Sequence, residues 1–307
     1  MQKTTTESMH EHALGLDLEE PARILSALME GQTDAAACVH SASDAIIKAS
    51  KTAAATIRAG GRLIYAAAGS SGLMALSDAL ELPGTFGIDR DQIRVLFAGG
   101  PPWLDTFRGG PEDDAGLAID DIMECRLTDS DCLIAVSASG STPYAVAALQ
   151  KAVEIGAATV AIANNSGSPL LVAADTAIFL PTPAELIAGS TRMGAGTAQK
   201  IALNLISTLM AIDLGHVVDG HMVNLIVDNA KLRSRAANII AVLAKCSEDT
   251  ALACLDQAGG SVKAAILLAS GAADPDAAQR LLESNNGNVR SAMAALNQGF
   301  GSEQQRA

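Results

Sequence analysis

The sequence predicts an α/β protein with a doubly wound, parallel sheet of five strands, followed by a small all-helical domain. Five short aliphatic runs are continuously apolar, which is typical of strands covered on both faces of a parallel sheet. Helical stretches separate these runs, as in doubly wound folds. From about Leu232 only short, glycine-separated helices remain. We expect a main domain with an N-terminal helical arm over 1–231, a helical domain over 232–298 and a disordered tail over 299–307. A helical extension packed on the main domain would give the same pattern.

The predicted elements have the following bounds. The predicted strands are Arg62–Ala67, Ile93–Phe97, Cys132–Ser137, Thr159–Ala163 and Thr176–Leu180. The predicted helices of the main domain are Thr33–Ala59, Tyr144–Ile155 and Ala195–Leu214, each stopped by glycine. The predicted helices of the second domain are Leu232–Lys245, Glu248–Gln257, Ser261–Ala269, Asp274–Glu283 and Asn288–Asn297.

Composition narrows the possible partners. A net charge of −13 argues against nucleic acid and against an anionic membrane surface. A small anion is still compatible, since backbone N–H groups at a helix N-terminus hold a phosphate locally. The chain has no apolar stretch of about 18 residues that would span a membrane. The five cysteines form no C-x-x-C pair and the N-terminus lacks a signal-peptide core, so we expect a cytoplasmic protein.

Two hydroxyl-rich loops follow predicted strands and lead into helices. The first is Gly69–Gly72, with Ser70 and Ser71, and the second is Ser137–Pro143. Such loops offer free N–H groups and hydroxyls to a phosphate, at the sheet edge where open α/β sheets bind ligands. One such loop alone could be a plain tight turn, but two are harder to explain in that way. Neither is G-x-G-x-x-G, so a dinucleotide site gains no support.

A third polar segment, Gly189–Lys200, opens the predicted helix Ala195–Leu214. It contains Ser190, Arg192 and Lys200, and Arg192 is able to bind a phosphate or carboxylate in a bidentate manner. The alternative for each of these side chains is a solvated helix cap.

Two carboxylates are candidates for acid–base chemistry. Glu81 lies at the predicted end of the helix after the first loop, before a predicted turn at Pro83-Gly84, and Leu80 and Leu82 make its expected surroundings apolar. Glu112 lies in a glycine-rich loop after the second strand. A pair of carboxylates near a sugar serves as general acid and general base. An ordinary surface position is the alternative for each.

The histidines lack the spacing of a zinc site, so the sequence predicts no metal. No segment indicates an organic cofactor.

The segment Ser137–Pro143 resembles the phosphate loop of sugar isomerase (SIS) domains. Within that superfamily the chain resembles the N-acetylmuramic acid 6-phosphate etherases over most of its length. The shared motifs are Gly60–Tyr65, Gly69–Gly72, Asp78-Ala79-x-Glu81-x-Pro83, Gly110-x-Glu112-Asp113, Arg192–Lys200 and Asn204-x-x-Ser207-Thr208.

The resemblance implies the SIS fold, a homodimer whose sites are completed by the second subunit, and a reaction without metal or cofactor. It implies cleavage of the D-lactyl ether of a phosphorylated amino sugar in cell-wall recycling, with Glu112 as base at C2 and Glu81 as acid at the departing oxygen. The substrate-binding residues that it implies are Ser70, Ser71, Ser137, Ser139, Thr142, Ser190, Arg192 and Lys200, and four of these, Ser71, Ser137, Ser139 and Thr142, hold the 6-phosphate.

The chain also departs from the family pattern. Leu73 and Gly194 replace basic residues, and the N-terminal signature is only partly visible, in Thr6-Glu7 and Leu16-Asp17. These changes affect which substrate the site accepts, and especially which substituent the sugar carries at C3. Two alternatives share the fold: an aldose–ketose isomerase, which would need Glu112 far more than Glu81, and a non-catalytic sugar-phosphate sensor.

Overall fold

The computed structural model describes residues 5–100 and 110–304, except for the side chains of 299–304. Contacts divide the chain into two units. The first takes the chain up to Leu80 and from Asp91 to Leu209, and the second takes Glu81–Arg90 and the chain from Met210 onward. This division falls earlier than the expected boundary between 231 and 232.

The first unit is built on a five-stranded parallel sheet, as the sequence predicts. Its strands are β1 (Leu63–Ala67), β2 (Ile93–Phe97), β3 (Cys132–Val136), β4 (Ala158–Ala163) and β5 (Thr176–Phe179). Their order is β2-β1-β3-β4-β5, and every neighbouring pair is parallel. The five aliphatic runs are confirmed as strands, and each boundary differs from the prediction by at most one residue.

Seven α-helices begin in the described residues of the first unit. They are α1 (Pro21–Cys38), α2 (Ser43–Arg58), α3 (Gly69–Phe86), α4 (Ala115–Cys125), α5 (Pro143–Ile155), α6 (Pro169–Ala173) and α7 (Gly194–Asp213). One core cluster packs the sheet against α4 and α5. In it Ile64 and Leu133 of the sheet meet Ile122 of α4 and Leu149 of α5, all fully buried.

Two helix predictions are wrong. The single helix expected over Thr33–Ala59 is two helices, α1 and α2, joined by a 3-10 turn at Val39–Ala42. The turn expected at Pro83-Gly84 does not form either. Helix α3 continues through Pro83 to Phe86, and the Gly87 N–H, at positive φ, donates to the Pro83 carbonyl at 3.0 Å.

The strand order creates a switch point between β1 and β3. Ala67, the last residue of β1, is in register with Phe97 of β2 on one side and Val136 of β3 on the other. The chain therefore leaves β1 and β3 at neighbouring points on the same edge of the sheet. Open α/β sheets bind ligands in the crevice that forms at such a point.

As far as residue 304, the second unit contains a short hairpin and five α-helices that begin within it. These are β6 (Val217–Val218), β7 (His221–Met222), α8 (Ala230–Ala244), α9 (Glu248–Gln257), α10 (Val262–Ala269), α11 (Pro275–Ser284) and α12 (Val289–Gln304). Ile240, Leu255 and Ile266 are fully buried in its core. The five predicted helices are confirmed, but α12 continues past Gly299, where we expected the tail to begin. Residues 305–307 lie outside the described chain.

None of the helices in the described parts of the chain is long and apolar enough to cross a membrane.

Candidate functional site

A polar cleft of about 360 Å³ lies at the carboxyl ends of β1 and β3. This volume is within the usual range for small-molecule sites. The structure brings six of the ten predicted site residues to this cleft, namely Ser70, Ser71, Glu112, Ser137, Ser139 and Thr142. The two hydroxyl-rich loops of the sequence therefore form one site, because their strands are adjacent in the sheet.

The loop after β3 gathers its hydroxyl groups into one cluster. The Ser137 hydroxyl lies 2.8 Å from that of Thr142 and 3.2 Å from that of Ser139. The N–H groups of Gly140 and Ser141 donate to the Ser137 and Ser139 hydroxyls, each at 3.1 Å. Several hydroxyls thus converge on one point before any ligand binds, which suits the oxygens of a phosphate.

Gly140 is required for the shape of this loop. Its φ is +67°, in the left-handed region that favours glycine. A Cβ at this position would lie 2.1 Å from the Ser168 hydroxyl oxygen and 3.0 Å from the Ala163 Cβ. Any side chain at 140 would therefore displace the loop that carries Ser137 and Thr142.

The loop after β1 is the first turn of α3 itself. Only Ala68 separates the strand from the helix, so Gly69, Ser70 and Ser71 present the N–H groups of a helix N-terminus to the cleft. Close packing fixes this turn, because a Cβ on Gly72 would lie 2.4 Å from the Phe97 ring.

Helix N-termini supply the positive potential of the site. Both α3 and α5 begin at the cleft, and helix N-termini favour anions through their free N–H groups and the macrodipole. Among the described residues that line the cleft there is no lysine or arginine. A bound anion there would be held by dipoles and hydroxyls, in a chain whose net charge is −13.

Glu112 lies on the rim of the cleft, on a 3-10 turn at Gly110–Asp113. Its Oε2 atom is 3.6 Å from the position that a Cβ on Gly69 would take, so the carboxylate sits beside the start of α3. Asp114 then caps α4, accepting the Leu117 N–H at 3.0 Å. The side chain is exposed and free to approach a ligand.

Glu81 is not among the described residues that line the cleft. It follows Gly69 by twelve residues on α3 and belongs to the second unit. Its side chain is exposed. Leu82 is buried, but Leu80 is 69% exposed, so the apolar surroundings predicted for Glu81 are not formed by Leu80.

Ser190, Arg192 and Lys200 do not line the described cleft either, although Gly189 and Thr191 do. The N-terminus of α7 is already capped from within the chain. The buried Glu185 carboxylate accepts the N–H groups of Gly194 and Ala195 at 3.0 and 2.9 Å. These two backbone donors are therefore occupied by a side chain of the same chain.

The structure adds residues that the sequence did not mark as site residues. Thr6 and Glu7, at the start of the described chain, line the cleft beside Asp113. Asn165, after β4, bonds to Thr6 across 159 residues of sequence. Partial agreement with the family signature at Thr6-Glu7 was the one signal for this arm.

A second cleft in the first unit, of about 460 Å³, is less suited to an anion. Its walls carry the carboxylates of Glu11, Glu19 and Glu30, with Arg23 and His12 as the basic groups.

Fold and cleft together define a SIS-type α/β protein. The SIS domain family matches residues 32–164. A phosphoheptose isomerase structure from Francisella tularensis shares the fold, with a TM-score of 0.51, 19% identity, and coverage of 63% of this chain and 100% of that one.

The sequence relatives are more specific. The N-acetylmuramic acid 6-phosphate etherase of Deinococcus radiodurans is 39% identical, covering 93% of each chain. That of Bacillus subtilis is 37% identical, covering 95% of this chain and 96% of the relative. The chain belongs to the N-acetylmuramic acid 6-phosphate etherase family.

Proposed function

We propose that the protein is a carbon–oxygen lyase that cleaves the D-lactyl ether of N-acetylmuramic acid 6-phosphate. The products are N-acetylglucosamine 6-phosphate and D-lactate, as in the recycling of cell-wall amino sugars. The observation that carries this proposal is the cleft between β1 and β3, where two helix N-termini and a hydroxyl cluster adjoin the Glu112 carboxylate on the rim. The names of the relatives supply the substrate.

The 6-phosphate is bound by the hydroxyls of Ser71, Ser137, Ser139 and Thr142. These groups lie on the two loops that begin α3 and α5, so backbone N–H groups contribute as well. Ser70 lies at the same edge and binds the substrate beside them.

Glu112 acts as the base. In the open-chain form of the sugar, the C1 aldehyde acidifies the C2–H bond, and the Glu112 carboxylate removes that proton. The electron pair forms a C2–C3 double bond as the C3–O bond breaks. Water then adds across the C2–C3 double bond of the unsaturated aldehyde, with its oxygen at C3, which gives N-acetylglucosamine 6-phosphate. One water is consumed and no electrons are gained or lost.

Glu81 acts as the acid that protonates the departing lactyl oxygen, and it comes from a second copy of the chain. Two observations support this arrangement: Glu81 is not among the described residues that line the cleft, and its side chain is exposed beside the exposed Leu80. Leu73, Ser77 and Glu81 are all exposed and lie four residues apart on α3, so they share one face of the helix. A partner subunit would contact α3 on this face. The protein is accordingly a homodimer.

An aldose–ketose isomerase is the second candidate. One observation favours it: the cleft described in a single chain contains Glu112 without Glu81. An isomerase needs a base near C1 and C2 but no acid at C3.

Lactate release separates the two candidates. The purified protein is incubated with N-acetylmuramic acid 6-phosphate, and D-lactate and the sugar phosphates are quantified. We expect equimolar D-lactate and N-acetylglucosamine 6-phosphate, and none from Glu112→Gln. Conversion of an aldose phosphate to its ketose without lactate release would contradict the lyase and support the isomerase.

A further inference from the structure

The N-terminal arm of the described chain is fixed to the cleft by one asparagine. Asn165 Oδ1 accepts the Thr6 N–H at 3.3 Å, and Asn165 Nδ2 donates to the Thr6 hydroxyl at 2.9 Å. Thr6 is only 4% exposed, although it is the second residue of the described chain. A buried contact made of two hydrogen bonds, between residues 159 positions apart in the sequence, indicates a specific docking site for this arm.

The same asparagine also contacts the phosphate-type loop. Asn165 Nδ2 donates to the Ser139 carbonyl oxygen at 3.1 Å. Asn165 therefore joins the arm to the loop that carries the hydroxyl cluster. Because both partners share one side-chain amide, the position of the arm is set relative to Ser139.

The next residue, Glu7, is placed on the wall of the cleft. Its Oε2 atom is 3.7 Å from the position that a Cβ on Gly189 would take, and both residues line the cleft. The side chain is exposed, and in the described parts of the chain its carboxylate has no hydrogen-bonding partner. Glu112 lies beside Gly69, so the two carboxylates stand by different segments of the cleft wall.

We propose that Glu7 is a substrate-binding residue that accepts a hydrogen bond from a hydroxyl or amide N–H of the sugar, and that Thr6 and Asn165 position it. The proposal deepens the proposed function and rests on it, since the ligand is taken to be a phosphorylated amino sugar.

Electrostatics assign Glu7 to the sugar ring rather than to the phosphate. An ionised carboxylate only accepts hydrogen bonds, so it repels a phosphate and attracts O–H and N–H donors. The cleft offers donors and helix N-termini to the phosphate, and Glu7 offers an acceptor to the ring. This division fixes which end of the ligand enters the hydroxyl cluster.

Calorimetric binding of two probes tests the role of Glu7. The probes are N-acetylglucosamine 6-phosphate and inorganic phosphate, each titrated into the wild type, Glu7→Gln and Glu7→Ala. We expect Glu7→Ala to bind the sugar phosphate about tenfold more weakly or worse, as loss of a charge-assisted hydrogen bond implies. Inorganic phosphate should bind both variants at least as well as the wild type. Unchanged affinity for the sugar phosphate, or an equal loss for both probes, would overturn the proposal.

Substitution of Thr6 tests the positioning role. Thr6→Val removes the hydroxyl that Asn165 contacts and keeps the shape of the side chain, while Thr5→Val changes an exposed neighbour as the matched control. We expect Thr6→Val to weaken the binding of N-acetylglucosamine 6-phosphate but not that of inorganic phosphate. Thr5→Val should change neither affinity. In the Thr6→Val/Glu7→Ala double variant the losses should not add, because both act through Glu7. Fully additive losses would show that Thr6 does not act through Glu7.

These outcomes are independent of turnover. If the wild type binds N-acetylglucosamine 6-phosphate but releases no lactate from the ether, the proposed reaction fails while the role of Glu7 is still decided by the titrations. If lactate is released and Glu7→Ala binds normally, the reaction stands and the role of Glu7 fails.

Discussion

The Tyr65 hydroxyl of β1 donates to the Asp78 carboxylate of α3 at 3.1 Å, and both groups are buried. Asp78 also accepts hydrogen bonds from the Asn204 amide and the Ser207 hydroxyl of α7, at 2.7 and 2.9 Å. Burial raises the pKa of Asp78, and these hydrogen bonds offset part of that effect. Burial and the nearby Asp78 raise the pKa of Tyr65, so Tyr65 remains the donor. The network connects α3, whose first turn forms part of the cleft, to β1 and α7.

Substitutions at Asp78 should separate its charge from its hydrogen bonds. An asparagine there is able to accept from Asn204 and Ser207 and to donate to the Tyr65 hydroxyl oxygen, so Asp78→Asn should change the free energy of unfolding by no more than about 1 kcal/mol. Asp78→Ala leaves buried polar groups without partners and should cost about 2–4 kcal/mol. Urea denaturation measures both, and equal losses in the two variants would contradict this account of the network.

Gly140→Ala should damage the site more than the fold. The new Cβ would meet the Ser168 hydroxyl at 2.1 Å, and the positive φ adds strain. We expect at least tenfold weaker binding of inorganic phosphate, because the displaced hydroxyl cluster no longer lies within hydrogen-bonding distance of the phosphate oxygens. Gly110→Ala is the control, because a Cβ at 110 meets nothing within 4 Å. Normal phosphate binding by Gly140→Ala would show that this loop does not hold the phosphate.

Mixed dimers should reveal where Glu81 acts. Glu81→Gln and Glu112→Gln homodimers should each be inactive in lactate release. In a heterodimer of the two variants, one site combines an intact Glu112 with an intact Glu81 from the other subunit, and the second site has neither. Subunit exchange at equal concentrations should therefore restore about one quarter of the wild-type activity, since half of the dimers are mixed and each has one active site. No restoration after verified exchange would contradict a shared site.

The second unit should lose stability in mild acid. Burial lowers the pKa of His216 to about 4, and Lys263 contributes to this while a hydrogen bond to the Phe86 backbone opposes it. The unfolded histidine takes up a proton near pH 6.5, whereas the folded one stays neutral until about pH 4. The contribution of the buried, neutral His216 to the free energy of unfolding is therefore complete above pH 6.5 and is lost as the pH falls towards 4. Between pH 7 and pH 5 the loss should be on the order of 2 kcal/mol.

Thermal unfolding followed by circular dichroism at pH 7 and pH 5 measures this effect. His216→Gln should reduce the difference between the two temperatures of unfolding, and His40→Gln, at an exposed position, should not. A wild-type stability independent of pH over this range would contradict the burial of a neutral His216.

The sequence predicted the sheet well because its signal is local. A continuous aliphatic run such as Cys132–Ser137 identifies a buried strand without knowledge of its neighbours. The break between α1 and α2 was missed because Val39–Ala42 contains neither glycine nor proline. Pro83-Gly84 gave the opposite error: proline usually ends a helix, but α3 contains both residues and ends only at Phe86.

The sequence predicted a site residue only where its position next to a strand also fixes its place in the fold. Ser71 and Ser137 were found because each follows a strand, and neighbouring parallel strands bring their ends together. The contact between Thr6 and Asn165 joins segments 159 residues apart and leaves no local pattern. Arg192 was expected at the cleft from its residue type, but its side chain is exposed and does not line the cleft in the described chain.

Deuterium exchange at C2 of the sugar tests the central claim, that Glu112 is the base of an elimination and Glu81 its acid. N-acetylglucosamine 6-phosphate is incubated in D2O with the wild type and each variant, and C2 deuteration is followed by NMR, alongside lactate release from the ether. The wild type should exchange C2–H and release lactate. Glu81→Gln should lose lactate release and keep measurable exchange, because the C2 proton is still removed, and Glu112→Gln should lose both. Exchange at the wild-type rate in Glu112→Gln would contradict the assignment of the base, and full lactate release by both variants would contradict the proposed mechanism.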